Sequence, residues 1–160
     1  MDSSTIERRV AEFLDACRRQ GVKATHQRME ILRELVATRE HPDAETIYAR
    51  VRQRIPTISL DTVYRTLRVL EDMGTIARVG SMGDRARFDA KADRHHHFVC
   101  RECGMIGDFY SDPLDRFPVP REVAEMGSVD WVYVELRGRC RKCQSGVENR
   151  AMREEGAHGQ

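Results

Sequence analysis

The chain has 160 residues, a net charge of +1, 33% charged residues and only 6% aromatic residues. So few aromatic side chains argue against one large apolar core, and small cores often depend on a metal ion or a second subunit. The near-zero net charge gives no global signal of nucleic-acid binding, so any basic patch must be local. We find neither an apolar run of membrane-spanning length nor a secretory leader, and we therefore expect a cytoplasmic protein.

The first half of the chain predicts four amphipathic helices. Apolar residues recur at helical spacing from Thr5 to Arg19, and three further apolar stripes follow the predicted N-cap residues Thr25, Asp43 and Ser59. Gly74 stands where the fourth helix should end, because glycine adopts the left-handed conformation of a helix C′ position without strain.

A β-hairpin is predicted directly after the fourth helix. The β-prone runs Thr75–Val79 and Arg85–Asp89 flank a glycine-rich tip at residues 80–84. Helices followed by such a hairpin predict a winged helix-turn-helix domain over residues 1–89, in which the fourth helix enters the DNA major groove.

The polar face of the fourth helix carries side chains that suit DNA. Tyr64 and Arg65 point away from the apolar stripe, and such residues contact phosphates and base edges. Lys23, near the start of the second helix, would add a phosphate contact. The alternative is an ordinary solvated charged face, and the wing at the expected place favours DNA binding.

The second half predicts a small α/β domain. Residues 90–94 form a polar hinge, and strands are predicted at Phe98–Cys100, Met105–Tyr110 and Val129–Leu136. A three-stranded sheet with an exposed apolar face seldom stands alone, so we expect residues 95–145 to form a dimerisation and metal-binding domain. Residues 146–160 are polar and are predicted to be disordered. The predicted fold class is α+β.

Four of the five cysteines form two C-x-x-C pairs. Cys100 with Cys103 and Cys140 with Cys143 match the spacing of a structural four-cysteine zinc site. The alternative is a local disulfide or one incidental pair, which the predicted reducing compartment disfavours. Cys17 falls on the apolar stripe of the first helix and is expected to be a buried small hydrophobic residue.

A second set of candidate ligands carries nitrogen and oxygen donors. In an extended segment His95 and His97 share one face while His96 points the other way. Three imidazoles and two carboxylates suit Fe²⁺, Mn²⁺ or Zn²⁺. Such an ion would join the two predicted domains, and the alternative is an exposed histidine cluster on a strand. The candidate ligands are His41, Asp89, His95, His97 and Asp108.

These motifs together resemble the ferric uptake regulator family of metal-dependent repressors over about residues 5–145. The matching segments are Gly21–Thr25 with Gln27-Arg28, His41–Tyr48, Ser59–Leu67, Gly74, Arg87–Asp89, His95–Gly104 and Cys140–Cys143. The resemblance implies a homodimer whose winged helices bind operator DNA under the control of a bridging metal. It implies structural Zn²⁺ at the cysteines, regulatory Fe²⁺ or Mn²⁺ at the five N/O ligands, and DNA contacts from Lys23, Tyr64 and Arg65.

Asp108 in place of the glutamate usual in iron-uptake regulators resembles the peroxide-responsive branch of the family. That branch implies that bound Fe²⁺ reacts with peroxide and that a ligand histidine, His41 or His95, is oxidised. Against this, Tyr64-Arg65-Thr66 is closer to the iron and zinc regulators. An iron-responsive regulator, or another metal-uptake regulator, without peroxide sensing therefore stays as the alternative within the family.

Two alternatives come from other classes of protein. The histidine and aspartate cluster could hold a catalytic zinc and its water, as in a hydrolase, but the sequence offers no evident general base or substrate cleft. A zinc-stapled adaptor without DNA binding is the other alternative. Neither accounts for the helices, wing and recognition-helix residues together, and we predict a regulator that is not an enzyme.

Overall fold

The computed structural model describes residues 3–38, 40–80, 86–91, 93–129 and 132–145. The chain divides into two units, Met1–Ala92 and Asp93–Gln160. The predicted disordered tail, most of the predicted glycine-rich tip and Trp131 of the predicted last strand lie outside the described residues. Within the part of the chain that is described, no helix combines the length and apolarity needed to cross a membrane.

The first unit is a winged helix-turn-helix. Its helices are α1 (Ser3–Gln20), α2 (His26–Ala37), α3 (Ala44–Arg52) and α4 (Leu60–Asp72). The antiparallel strands β1 (Ala77–Val79) and β2 (Arg87–Asp89) follow. The order of four helices and a hairpin is the one that the sequence predicts, and the hairpin forms the wing.

Local side-chain caps define where three of the helices begin. Thr25, Asp43 and Ser59 each accept a hydrogen bond from the backbone N–H three residues later, at 3.3, 2.8 and 3.1 Å. These caps satisfy donors that have no partner inside the helix. At the other end of α4, Gly74 has a φ of 66°. All three predicted caps and the predicted helix end are confirmed.

The core of the first unit consists of the inward stripes of its helices. Phe13 and Cys17 of α1 pack with Ile31 and Leu32 of α2, and each is at most 2% exposed. The expected burial of Cys17 is therefore confirmed. α4 contributes Val63, Thr66, Leu67 and Leu70, all buried, which leaves the opposite face of that helix to solvent. Burying each large apolar side chain stabilises the unit by about 1.5–3 kcal/mol.

A carboxylate on α2 links two arginines at the edge of this core. Glu30, only 8% exposed, accepts hydrogen bonds from Arg33 at 2.6 Å and Arg54 at 3.0 Å. Burial alone would raise the pKa of Glu30, but the hydrogen bonds and charges of the two guanidinium groups outweigh it and lower the pKa. Glu30 therefore ties α2 to the segment that follows α3.

The second unit contains a three-stranded sheet in the order β4-β3-β5. The central strand β3 (His96–Cys100) pairs antiparallel with β4 (Ile106–Phe109) and parallel with β5 (Glu135–Gly138). Two short helices, α5 (Asp112–Asp115) and α6 (Arg121–Met126), lie in the connection. The predicted mixed α/β architecture is confirmed.

One local expectation for this unit is wrong. The last strand was expected over Val129–Leu136, but β5 begins at Glu135, where its backbone finds β3 as a partner. Alternating side chains describe an extended segment and do not show which part of it is hydrogen bonded. α5 carries Pro113 in its first turn, where proline is tolerated because its missing N–H would have no partner inside the helix.

The second unit exposes many large apolar side chains. Met126 is 85% exposed and Tyr110 is 61% exposed. Among the described residues of this unit, the other exposed large apolar side chains are those of Met105, Phe117, Val119, Val123, Val129, Tyr133 and Leu136. A concentration of this size on a small unit is typical of a surface that a partner covers.

Candidate metal centres and nucleic-acid interface

The four cysteines of the two C-x-x-C pairs meet in the second unit. Cys100 ends β3, Cys103 lies in the turn that follows, and Cys140 and Cys143 follow β5. Because β3 and β5 are parallel neighbours, their C-terminal ends carry both pairs to one end of the sheet. The four sulfur atoms lie within 4.8 Å of one another, and the Sγ atoms of Cys103 and Cys140 are 3.7 Å apart.

Backbone hydrogen bonds prepare this cluster for a cation. Donation from the backbone of Cys103 and of Cys140 lowers the pKa of the Cys100 thiol to about 6. Hydrogen bonding with the thiols of Cys140 and Cys103 raises the pKa of Cys143 to about 12. The backbone amides thus favour loss of the first thiol proton, whereas crowding of the four sulfur atoms opposes loss of the last one. A divalent ion offsets that crowding, and four sulfur donors without oxygen or nitrogen fit tetrahedral Zn²⁺.

His41 and Asp89 come together in the first unit through backbone pairing. Asp43 pairs antiparallel with Arg87, and the amide of Phe88 donates to Pro42 O at 3.1 Å. Residues 41–43 therefore extend the wing sheet, and this register sets His41 opposite Asp89. Their ligand atoms lie within 4.8 Å of each other, and the two residues are 3% and 7% exposed.

Hydrogen bonds orient these two residues further. The Arg87 guanidinium donates through Nε to the carbonyl oxygen of His41. The amide of Lys91 donates to Oδ1 of Asp89 at 2.9 Å. The first unit thus presents one imidazole and one carboxylate as a pair of N/O donors, with the His41 backbone held by the Arg87 side chain and the Asp89 carboxylate held by a backbone amide.

His95, His97 and Asp108 form a second group, in the second unit. Nδ1 of His95 lies 2.7 Å from Asp93 O, so Nδ1 carries the proton and Nε2 presents its lone pair. Nε2 of His95 and Nε2 of His97 are 3.1 Å apart. Nε2 of His97 is 3.6 Å from Oδ1 of Asp108. Two imidazoles and one carboxylate match the donor types that Fe²⁺ and Mn²⁺ accept.

The three histidines are buried rather than displayed on an exposed strand. His95, His96 and His97 are 4%, 0% and 3% exposed. This disagrees with the alternative of a solvent-facing histidine cluster. Burying an imidazole costs free energy unless its nitrogen atoms find partners, so burial indicates that these rings have partners. The role of Asp93 as the residue that orients His95 was not foreseen from the sequence, although its position two residues upstream in an extended segment would allow it.

His96 faces the other side of β3, as the alternation of side chains predicts. Its Nδ1 accepts a hydrogen bond from the amide of Val134 at 3.2 Å, so the proton sits on Nε2. Nε2 lies 3.4 Å from Oδ1 of Asp115, and the ring packs 5.3 Å from that of Phe109. His96 therefore links β3 to α5 and to the segment before β5.

The candidate DNA contacts lie on the exposed surface of the first unit. Tyr64 and Arg65 project from the solvent face of α4, and Lys23 lies exposed in the loop between α1 and α2. Tyr64 donates to Glu45 Oε1 at 2.9 Å, and Arg65 donates to Asp61 through Nε at 2.8 Å and through Nη2. Beside α4, an open groove of about 720 Å³ includes Tyr64, Arg65 and the wing residue Arg78 in its lining.

A winged helix-turn-helix with an exposed polar recognition helix, together with a cysteine cluster and grouped imidazoles and carboxylates, defines the class of metal-responsive transcriptional regulators. The family model described as the ferric uptake regulator family matches residues 19–136. The chain belongs to the ferric uptake regulator family. Its members regulate transcription and are not enzymes, and the same holds for this chain.

Known relatives give the same assignment. The peroxide-responsive repressor PerR of Staphylococcus saprophyticus is 34% identical over 140 residues, which is 88% of this chain and 95% of that protein. The ferric uptake regulator Fur of Helicobacter pylori superimposes with a TM-score of 0.71 at 25% identity, covering 88% of this chain and 94% of that one. The Campylobacter jejuni peroxide stress regulator gives a TM-score of 0.63 at 29% identity, covering 81% and 98%.

Proposed function

We propose that the chain is a metal-dependent transcriptional repressor that binds operator DNA as a homodimer and senses peroxide through bound Fe²⁺. The observation that carries this proposal is the grouping of His95, His97 and Asp108 in the second unit. It supplies buried N/O donors separate from the cysteine cluster. One group suits a permanent Zn²⁺, and the other suits an ion that binds reversibly.

The proposed regulatory ligands come from both units. His41 and Asp89 would supply one imidazole and one carboxylate, and His95, His97 and Asp108 would supply the rest. An ion bound by residues of both units favours the arrangements of the units in which all these ligands reach it, and this is how a small ion can control DNA binding. The proposal thus gives the structural zinc to Cys100, Cys103, Cys140 and Cys143 and leaves regulation to the mixed group.

Peroxide sensing would use the same ligands. Fe²⁺ held by these N/O ligands would supply the electrons that reduce hydrogen peroxide, and Mn²⁺ held by the same ligands would support DNA binding without that reaction. In the overall two-electron oxidation, one oxygen atom of hydrogen peroxide is added to the imidazole carbon Cε1 of His41 or His95, and the other leaves as water. The resulting 2-oxo-histidine has lost an aromatic nitrogen donor, so the site loses its ion and the protein releases DNA.

Relatives and chemistry support the remaining parts of the proposal. The exposed apolar residues of the second unit suit a homodimer, and a dimer would carry two recognition helices to two half-sites. Tyr64 and Arg65 would contact bases or phosphates, and Lys23 would contact phosphate. Four thiols kept reduced for zinc, and DNA as the partner, agree with action in the cytoplasm.

An iron-responsive regulator without peroxide sensing is the second candidate, and the similarity to the Helicobacter pylori ferric uptake regulator favours it. Intact-mass analysis separates the two. Zinc-loaded protein is supplied with Fe²⁺, treated with dilute hydrogen peroxide, and digested to map any added oxygen. We expect a gain of one oxygen atom on His41 or His95 and none when Mn²⁺ replaces Fe²⁺. Unmodified histidines after loss of DNA binding would point to the iron-responsive candidate.

DNA binding itself requires a separate test. A mobility-shift assay would compare the wild type with Tyr64→Ala and Arg65→Ala on duplexes selected by the wild-type protein with Mn²⁺ from a random pool. We expect metal-dependent binding by the wild type and weaker binding by both variants. If the wild-type protein selects no duplex, the repressor proposal fails, and the result supports the alternative of a zinc-stapled adaptor without DNA binding.

A further inference from the structure

Carboxylates of the first unit hold the side chains that face the proposed DNA site. Asp61 accepts two hydrogen bonds from Arg65, and Glu45 accepts one from Tyr64. On the wing, Arg78 donates to both carboxylate oxygens of Glu71, at 3.2 and 2.9 Å. In the protein without DNA, each of these three donor side chains is therefore already hydrogen bonded to a carboxylate.

Arg65 and Asp61 form a fork on one edge of the guanidinium group. Nε and Nη2 of Arg65 both point at Oδ2 of Asp61, one helical turn earlier on α4. This leaves Nη1 and the second proton of Nη2 on the outer edge of the group. The two side chains are 79% and 65% exposed, so DNA has access to the pair.

Phosphate and guanine would meet this pair differently. A phosphate is an anion that competes with the Asp61 carboxylate for the same guanidinium and is repelled by it. A guanine edge is uncharged, presents two acceptors, O6 and N7, and can be bound by the two outer N–H groups while Asp61 keeps the inner ones. Asp61 therefore penalises contacts to the phosphate backbone more than contacts to bases.

The charge of the whole chain makes this local effect important. Affinity for random DNA comes mainly from neutralising phosphates, and the chain carries a net charge of only +1. With little overall electrostatic attraction, the free charge on the recognition helix, together with the proposed phosphate contact of Lys23, contributes directly to the affinity for DNA of any sequence.

We infer that Asp61 is a specificity-determining residue, which holds Arg65 for base recognition and lowers the affinity of the protein for random DNA. The inference rests on the proposed DNA-binding function and deepens it. Asp61, in the first turn of α4, would thus act by weakening the binding of random-sequence DNA and not by contacting DNA itself.

The test uses the full zinc-loaded chain with Mn²⁺ and compares Asp61→Asn with the wild type. One probe is the duplex that the wild type selects from a random pool, and the other is a random-sequence duplex of equal length. We expect Asp61→Asn to bind the random duplex roughly fivefold more tightly, the factor that one exposed ion pair can contribute. Affinity for the selected duplex should change less, so the ratio of the two affinities falls.

Two further variants control the experiment. Asp15→Asn removes the same charge from an exposed ion pair with Arg18 on α1, and both probes should respond to it by equal, small factors. Asp61→Glu keeps the charge and should retain most of the wild-type ratio, which a general loss of helix stability would not do. Thermal melting of each variant verifies that α4 is folded.

The outcomes separate this inference from the proposed function. An unchanged or increased affinity ratio in folded Asp61→Asn would overturn the role of Asp61 while leaving DNA binding in place. Equal loss of ratio in Asp61→Asn and Asp15→Asn would assign the effect to net charge alone and overturn it as well. A wild type that binds neither duplex would remove the proposed function and this inference together.

Discussion

His97 on β3 lies directly opposite Asp108 on β4, with Nε2 of the imidazole 3.6 Å from Oδ1 of the carboxylate. The register of one antiparallel strand pair makes this contact, and residues eleven apart in sequence become cross-strand neighbours. Both side chains are at most 10% exposed. Within the second unit, this strand pair therefore sets the distance between two of the proposed regulatory ligands.

Asp108→Ala should lower the affinity for Mn²⁺ by about tenfold or more, because a removed donor leaves His97 without its carboxylate neighbour. Calorimetric titration of zinc-loaded protein measures this affinity. Asp112→Ala is the matched control, since that carboxylate is 86% exposed at the start of α5. Equal Mn²⁺ affinity in the two variants would exclude Asp108 as a regulatory ligand. The zinc content of both should equal that of the wild type.

Removal of the structural metal should unfold the second unit. Cys103→Ser removes one of four sulfur donors that lie within 4.8 Å of one another. Binding free energy at such sites, about 10–16 kcal/mol in zinc-finger peptides, adds directly to folding free energy. We expect the variant to lose zinc and to melt at a lower temperature. Metal analysis measures the zinc content, and calorimetry measures the melting temperature. Cys17→Ala, at a buried cysteine of α1, should keep its zinc. Full zinc content in Cys103→Ser would refute a four-cysteine site.

Glu30→Gln should destabilise the first unit by about 1–3 kcal/mol at pH 7, the value of hydrogen bonds that involve charged groups. The pKa of Glu30 is lowered in the folded protein by Arg33 and Arg54 against the opposing effect of burial. Its stabilisation is therefore present above the unfolded pKa of about 4.3 and is lost as the pH falls through the lower folded value. Urea unfolding at neutral and acid pH measures the difference.

The exposed Glu12, which pairs with Arg9 on α1, gives the control for that prediction. Glu12→Gln should change stability by at most about 1 kcal/mol at either pH, as expected of a carboxylate that stays 47% exposed in its ion pair. A Glu30→Gln effect that persists at acid pH would mean that packing, and not the carboxylate charge, is responsible.

Arg65→Ala and Lys23→Ala should affect DNA binding in different ways. Loss of a base contact from α4 should weaken the selected duplex by about 1–3 kcal/mol and random DNA far less. Loss of a phosphate contact at Lys23 should weaken all duplexes evenly and reduce the dependence of affinity on salt. Titrations at several salt concentrations distinguish the two patterns. Identical losses on selected and random DNA in Arg65→Ala would show that Arg65 does not read bases.

Local features of this fold could be predicted from the sequence, and pairing between distant segments could not. Thr25, Asp43 and Ser59 each cap a helix by a hydrogen bond to the residue three positions later. Both partners of each bond therefore lie in one short stretch of sequence, which makes the cap predictable. The strand β5 was misplaced because its limits depend on where β3 lies. Alternation along a strand cannot supply that information.

The candidate sites show the same division. The C-x-x-C spacing identifies the cysteines because the spacing itself is the chemical requirement. For Asp108, the sequence identifies a carboxylate, but only the register of β3 and β4 shows that it lies opposite His97. The burial of His96 against Val134 and Asp115 carried no signal in the sequence beyond its position on the opposite side of the strand.

The segment from His41 to Asp43 performs three tasks within three residues. It carries a candidate ligand at His41, extends the wing sheet by pairing with β2, and begins α3 through the cap at Asp43. A substitution there should disturb metal binding and the DNA-binding fold at once. Asp108 lies instead on β4 of the second unit, paired with β3. We therefore expect relatives that adapt to a new metal to diverge at the Asp108 position sooner than at residues 41–43.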